Sequence, residues 1–357
     1  MDKIRFAVIG VGGFGQKRIK SIMKSSMAKL SYITDINAKL VEDLSKKLSI
    51  NVVSLDELSS KKDYDVTIVA TPNLFHEELV IKLLKSGKDV WCEKPMAINI
   101  ESARRMVLES IKNRRILKVG SNPRYFPNTL KASDLIKRKY IGKIMFFRGW
   151  IGNEGLHLLN KDWYTKKEMI GGGTLIDNGV HLIDLIRYLA GEIVECFSCK
   201  LALLKHNIRE LEDNAMAIYE LSNGGLALIH SSWTEKTGYM YFELHGEEGF
   251  IHVDSRWNKA IIRYGKSGEK PSYEDYTKCP KMSYDFELED FIKDYRDGFH
   301  PKPTSYDGYR AVKIVMQSYV AAQKGSTPTF NSSDLKLKED FLKHFKVRTN
   351  GGLTVEV

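Results

Sequence analysis

The first third of the chain alternates short, almost wholly apolar runs with stretches that repeat at helical spacing. Residues 4–9, 30–34, 66–70, 89–92 and 116–119 are the apolar runs, and each reads as a strand buried on both faces. Between them, residues 77–84, closed by Gly87, and residues 100–111 read as helices. Strand and helix in turn predict an α/β unit with a parallel, doubly wound sheet, its ligand at the carboxyl ends of the strands. After Asn122 the texture changes. Residues 128–139 predict a helix and 144–150 a strand, followed by long strand-like runs at 194–204, 215–221, 226–233, 239–244 and 250–254. Asn223-Gly224 and Glu247-Glu248-Gly249 supply hairpin turns. This second half predicts an α+β domain with a large open, mainly antiparallel sheet, one face on helices and the other free to pair with a second subunit. Residues 307–324 predict a last helix, and residues 335–357 carry no assignment. The expected division is 1–122 and 123–357.

One stretch, residues 171–191 (GGGTLIDNGVHLIDLIRYLAG), combines a helical apolar pattern with polar groups inside it. Leu175, Ile176, Val180, Ile183, Leu185, Ile186 and Leu189 fit a mostly buried helix that stops near Gly191. Asp177 and His181, spaced i,i+4, emerge on one face, with Asp184 close to it. A carboxylate beside an imidazole orients a general base and raises its basicity, although such a pair can equally be structural.

Residues 4–9 run straight into Gly10-Val11-Gly12-Gly13-Phe14-Gly15. Gly10, Gly12 and Gly15 make a GxGxxG spacing in its required place between strand and helix. The first glycine permits the turn, the second lets a pyrophosphate approach the backbone, and the third lets helix pack on strand. Phosphates held there, beside Gly13 and Phe14, meet free N–H groups at a helix start. Asp35, twenty positions beyond Gly15, suits both ribose hydroxyls and repels a 2′-phosphate. NAD is therefore expected over NADP, with Lys39 nearby, and the first domain reads as a Rossmann nucleotide-binding domain. Thr71-Pro72-Asn73, Glu93-Lys94-Pro95 and Ser121-Asn122 fall at further strand ends on the same edge. A lysine there, held extended by the following proline, suits a substrate oxygen.

Composition narrows the rest. A length of 357 residues accommodates two cores, and no apolar run reaches membrane-spanning length. The strand pattern begins at Ile4, leaving no room for a leader, so a cytoplasmic protein is expected. Cys92, Cys196, Cys199 and Cys279 suggest no disulfide framework. Cys196 and Cys199 are three apart in a strand-like run, hence predicted on opposite faces as ordinary buried thiols, and no metal is expected. The net charge of +10 is dispersed and lacks a recognition motif, so it suits an anionic small molecule better than nucleic acid. His157, Trp163 and Tyr164 sit in an aperiodic, aromatic stretch of the kind that walls sugar-sized pockets, and Trp163 is a candidate substrate contact.

With these residues collected, the chain resembles the Gfo/Idh/MocA oxidoreductases from Ile4 to about Phe330. GVGGFG, ATPNLFHEELVIKLLKSGKDVWCEKP, VGSNPRYFP and GGGTLIDNGVHLIDL carry the resemblance. It implies that Gly10, Gly12, Gly15 and Asp35 hold the dinucleotide while Thr71, Pro72, Asn73, His76 and Glu93 line its far half, with Asn122 on the same edge. Lys94, Asp177 and His181 fall on the family's catalytic positions. Arg124 falls where many relatives carry a second arginine, and Pro123 replaces the usual first. The implied reaction is hydride transfer between nicotinamide and a secondary alcohol of a sugar or cyclitol, in a homodimer or homotetramer built on the open sheet. Two alternatives stay open: glycoside cleavage through transient oxidation, and a non-catalytic NAD- or sugar-responsive binding protein.

Overall fold

The computed structural model describes residues 2–155, 162–208 and 210–348, with the backbone of 354–355. The chain divides into two compact units. The first holds the chain up to Gly120, Tyr284–Tyr309 and the segment from Lys336; the second holds Ser121–Ser283 and Arg310–Leu335. A single cut after Asn122 thus misplaces two segments that return to the first unit. The reason is a buried seam: on the helix Ser283–Arg296, Phe291 stacks on Trp91 at 5.0 Å and Glu287 pairs with Arg18 and Lys118.

In the first unit β1 (Ile4–Ile9), β2 (Ala28–Thr34), β3 (Asn51–Val52), β4 (Val66–Val69), β5 (Asp89–Cys92) and β6 (Leu117–Val119) form one parallel sheet in the order β3-β2-β1-β4-β5-β6. Strands β4, β5 and β6 are buried along their whole length, as continuous apolar runs require of a sheet covered on both faces.

The second unit is built on β7 (Ile144–Gly152), β8 (Ile193–Ala202), β9 (Asn214–Leu221), β10 (Leu226–Ser232), β11 (Tyr239–Gly246), β12 (Gly249–Asp254), β13 (Ile261–Lys266), β14 (Ser272–Asp275) and β15 (Thr327–Pro328). Their order is β14-β13-β12-β11-β7-β10-β9-β8-β15. All pairs are antiparallel except β7 with β10, which run parallel. Phe147, Ile229, Phe242 and Ile251 point from one face into a core shared with the helix Val180–Leu189. The other face exposes Met216, Ile218, Leu226 and Leu228.

The two cysteines of β8 depart from expectation. Register shifts between Ile193 and Glu195 and between Cys196 and Ser198 break the two-residue period, so Cys196 and Cys199 both turn into the core. They remain free thiols, and burial pushes both thiol pKa values up, Cys199 to about 12.

His300 gives the first unit an acid limit. Its Nε2 accepts the Leu117 N–H at 3.3 Å, its Nδ1 lies 2.9 Å from the Pro301 carbonyl, and Phe341 and Phe345 close around the ring edge-on. These contacts need a neutral imidazole, and burial lowers its pKa from 6.5 to about 4. The unfolded chain therefore binds the extra proton first. Stability from this group is present above pH 6.5 and is lost as pH falls towards 4, by a total on the order of 3 kcal/mol. Urea midpoints should drop across that window and His300→Gln should remove most of the slope; a flat wild-type midpoint from about pH 7 to 4 would refute the assignment.

Candidate active site

At the carboxyl end of β1, Gly10 takes φ +86°, and the helix Gly13–Lys24 starts at once. A side chain at Gly15 would put its Cβ 1.9 Å from the Gly10 carbonyl oxygen, which is why the helix can press onto the loop only with glycine there. At Gly12 and Gly13 an added Cβ would meet nothing within 4 Å, and Gly12 caps the helix without a side-chain hydrogen bond. Open space over uncapped N–H groups is what a pyrophosphate needs. Asp35 closes the other side: its Oδ2 accepts the Val11 N–H at 2.7 Å and its Oδ1 the Asn37 N–H at 2.9 Å. Thr71 adds a buried hydroxyl that has no partner among the described residues. The residues of this edge fit a dinucleotide.

Two loops beside it are tied together by His76. The ring is wholly buried, with Nε2 3.0 Å from the Thr71 carbonyl and Nδ1 3.0 Å from the Pro95 carbonyl. Both nitrogens are occupied by backbone, so His76 reaches a cofactor through the loops it joins and not by contact. Glu93 is likewise buried, 2.5 Å from the Arg18 Nε, and acts as a brace. Pro72 and Asn73 stay partly exposed at the loop surface. Lys94 is half-buried ahead of a cis bond to Pro95, and its Nζ lies 6.0 Å from the ring centre of Phe14. Glycine loop and lysine loop are therefore neighbours, with exposed Phe14 at their junction.

In the second unit the predicted helix over residues 175–189 opens with a π-helical turn, Leu175–Gly179, before Val180–Leu189 continues as α-helix. Such turns recur at functional sites because the widened backbone re-aims side chains. Asp177 lies in this turn and His181 in the next, both buried. The Asp177 carboxylate is clamped from two sides: Tyr164 donates to Oδ1 at 2.7 Å and Trp233 Nε1 to Oδ2 at 3.0 Å. Burial, with Asp177 alongside, pushes the Tyr164 hydroxyl pKa far up, keeping it a donor. The segment is anchored from behind by Glu212, which accepts the Gly173 N–H at 3.0 Å, the Leu175 N–H at 2.9 Å and the Tyr319 hydroxyl at 2.8 Å. A Cβ at Gly173 would fall 2.0 Å from the Glu212 carbonyl oxygen, so only glycine passes this close.

A family described as an oxidoreductase family with an NAD-binding Rossmann fold matches residues 4–121, and the GFO/IDH/MocA C-terminal domain matches residues 129–252. The chain belongs to the Gfo/Idh/MocA oxidoreductases. It is similar to the myo-inositol 2-dehydrogenase of Thermotoga maritima, 28% identical over 319 residues, covering 87% of this chain and 94% of the relative. It is also similar to the 2,7-anhydro-N-acetylneuraminate hydratase of Escherichia coli, 30% identical over 274 residues and covering 73% and 70%. A levoglucosan dehydrogenase solved with NADH and levoglucosan shares the fold, with TM-score 0.82 and 22% identity over 92% of this chain and all of that one. This Gfo/Idh/MocA protein is an NAD-binding oxidoreductase.

Arg124 is buried and spends its guanidinium on Asp184, with bonds of 2.7 and 2.6 Å, while its plane lies over Tyr188 at 4.7 Å. Ser121 donates to the same carboxylate at 2.6 Å. Arg124 and Asp184 thus lock each other and brace the His181 helix. Asn122 donates to Ser283 at 3.3 Å, and Trp163 is half-buried against Tyr164 at 4.7 Å. His157 lies outside the described residues. The residues that sequence reasoning missed are Trp233 and Glu212, 56 and 37 positions from the groups they hold. No local spacing announces either.

Proposed function

We propose that the protein is an NAD-dependent dehydrogenase oxidising a secondary alcohol on a cyclitol or sugar. In this reading His181 takes the hydroxyl proton as the C–H bond breaks, and Asp177, fixed by Tyr164 and Trp233, stabilises the charged ring. Lys94 is assigned to supporting the negative charge that develops on the substrate. Bound NAD supplies the hydride acceptor. The observation that carries the reading is the clamped Asp177 one turn from His181, in a chain whose relatives include a myo-inositol 2-dehydrogenase. Dinucleotide reduction with inositols, aldoses, uronates and nucleotide-linked sugars, repeated with NADP, tests it. NADH formation with a cyclitol or sugar is expected, slower with NADP, and a blank across the panel rejects the proposal.

A second reading is favoured by the hydratase relative. If NAD stays bound through gel filtration and substrate is consumed with no NADH accumulating, the same residues serve a reaction without net oxidation. We further assign the exposed stripe of Met216, Ile218, Leu226 and Leu228 to contact with a second copy of the chain, because a soluble monomer rarely leaves such a face bare. Light scattering should then give at least a dimer. The reading carries the cytoplasm with it, the compartment that keeps thiols such as Cys196 and Cys199 reduced.

A further inference from the structure

On the outer face of the second sheet, away from the 171–191 segment in sequence, three chemically matched side chains meet. Glu243 and His245 are two apart on β11 and so share a face, and His252 on β12 is the cross-strand partner of Glu243. Their ligand atoms all lie within 4.8 Å of one another, and His252 Nε2 is 3.5 Å from Glu243 Oε2. Each imidazole is held by aromatic rings: His245 stacks on Phe146 at 4.5 Å, and His252 lies 4.7 Å from Phe250. This packing leaves the Nε2 atoms of His245 and His252 buried without a hydrogen-bond partner. A phenyl ring would pack as well with no nitrogen to desolvate, so two such nitrogens beside a carboxylate call for an occupant that binds them together.

We propose that Glu243, His245 and His252 form a site for a divalent transition metal, zinc being the best match, with a fourth position left to water. Two imidazole nitrogens and one carboxylate oxygen are a set that suits zinc. The 3.5 Å spacing of His252 and Glu243 is close to the roughly 3.4 Å edge of a tetrahedral site with bonds of about 2.0–2.1 Å. The third ligand atom, on His245, already lies within 4.8 Å of the other two. Glu243 divides its oxygens: Oε1 faces Arg148, and Oε2 faces His252 and the Tyr241 hydroxyl at 3.2 Å. Arg148 and Arg263, which flanks His252 across β13, oppose a cation and set the affinity below that of a closed structural site.

The test is zinc titration of the chelator-treated, untagged full chain, with cobalt(II) as a spectroscopic substitute. One equivalent of zinc per chain is expected, with the visible absorption of tetrahedral cobalt. Combined His245→Ala and His252→Ala should weaken binding by well over tenfold, since even partners one shell out cost about 10–100-fold. Glu243→Gln should weaken it less, its oxygen remaining in place. Melting curves in chelator show that the variants fold. Failure of the wild-type chain to take up one equivalent overturns the site, as does uptake that persists undiminished in the double variant.

Discussion

Replacing His181 by alanine is expected to lower turnover at least about a hundredfold while leaving NAD affinity unchanged. The residue is 3% exposed, on the first turn of a helix whose apolar residues are buried. A general base so placed contributes about 10²–10⁴ in rate, and nothing in the glycine loop depends on it. Lys94→Ala should act through the same step, because in the proposed mechanism the lysine stabilises charge that develops only as the proton leaves. Dinucleotide titration separates binding from chemistry. Near-normal turnover in both variants would discard the assignment, and loss of NAD binding in both would point to a disrupted fold. Tyr164→Phe supplies a graded control: it removes one donor to a carboxylate, worth about 1.5–3 kcal/mol, and should lower turnover less than His181→Ala. It should also shift the pH profile, since Asp177 loses a donor that fixes its orientation.

What the chain discloses before folding follows from which interactions are local. The parallel sheet was legible because its strands are continuous apolar runs, and the glycine loop because a turn, a close approach and a helix start each demand glycine within six residues. The 171–191 segment was legible as a buried helix with Asp177 and His181 inside it. Its π-helical opening was not, since that turn is fixed by Glu212 and by the passage of Gly173 past it. The helix Ser283–Arg296 escaped notice for a related reason. Its buried face reads Tyr284, Glu287, Leu288, Phe291, Ile292 and Asp294, so acids take inward positions and the first of them, Glu287, already breaks the apolar pattern. Bulges in β8 defeated the two-residue rule for Cys196 and Cys199 in the same way. Period arguments fail where a long-range partner, absent from the local sequence, decides which way a residue points.

That misplaced acid is also where the second large effect is expected. Glu287→Ala should cost about 3–5 kcal/mol, because it strips a buried lysine, Lys118, of its carboxylate and leaves Arg18 with one carboxylate in place of two. Glu287 is fully buried, its Oε2 2.6 Å from Arg18 Nη1 and its Oε1 2.6 Å from Lys118 Nζ. Both cations lie over the Trp91 ring, at 4.4 and 4.1 Å, and burial already draws the Lys118 pKa down from 10.5 to about 8 in spite of Glu287. Without the carboxylate that pKa falls further. A lysine whose folded pKa lies below its unfolded one makes the unfolded state the greater proton binder, so stability rises with pH across the gap. In Glu287→Ala the gap begins lower, so the deficit against wild type should narrow as pH rises towards 8 and hold constant above it. Urea unfolding at several pH values reads both quantities, and a variant within about 0.5 kcal/mol of wild type would show the network to be dispensable. The consequence reaches the chemistry through Arg18, whose other carboxylate partner is Glu93, the residue before Lys94. A Glu287→Gln chain that folds yet loses turnover at unchanged NAD affinity would mean that the buried network holds the lysine loop in register as well as the fold.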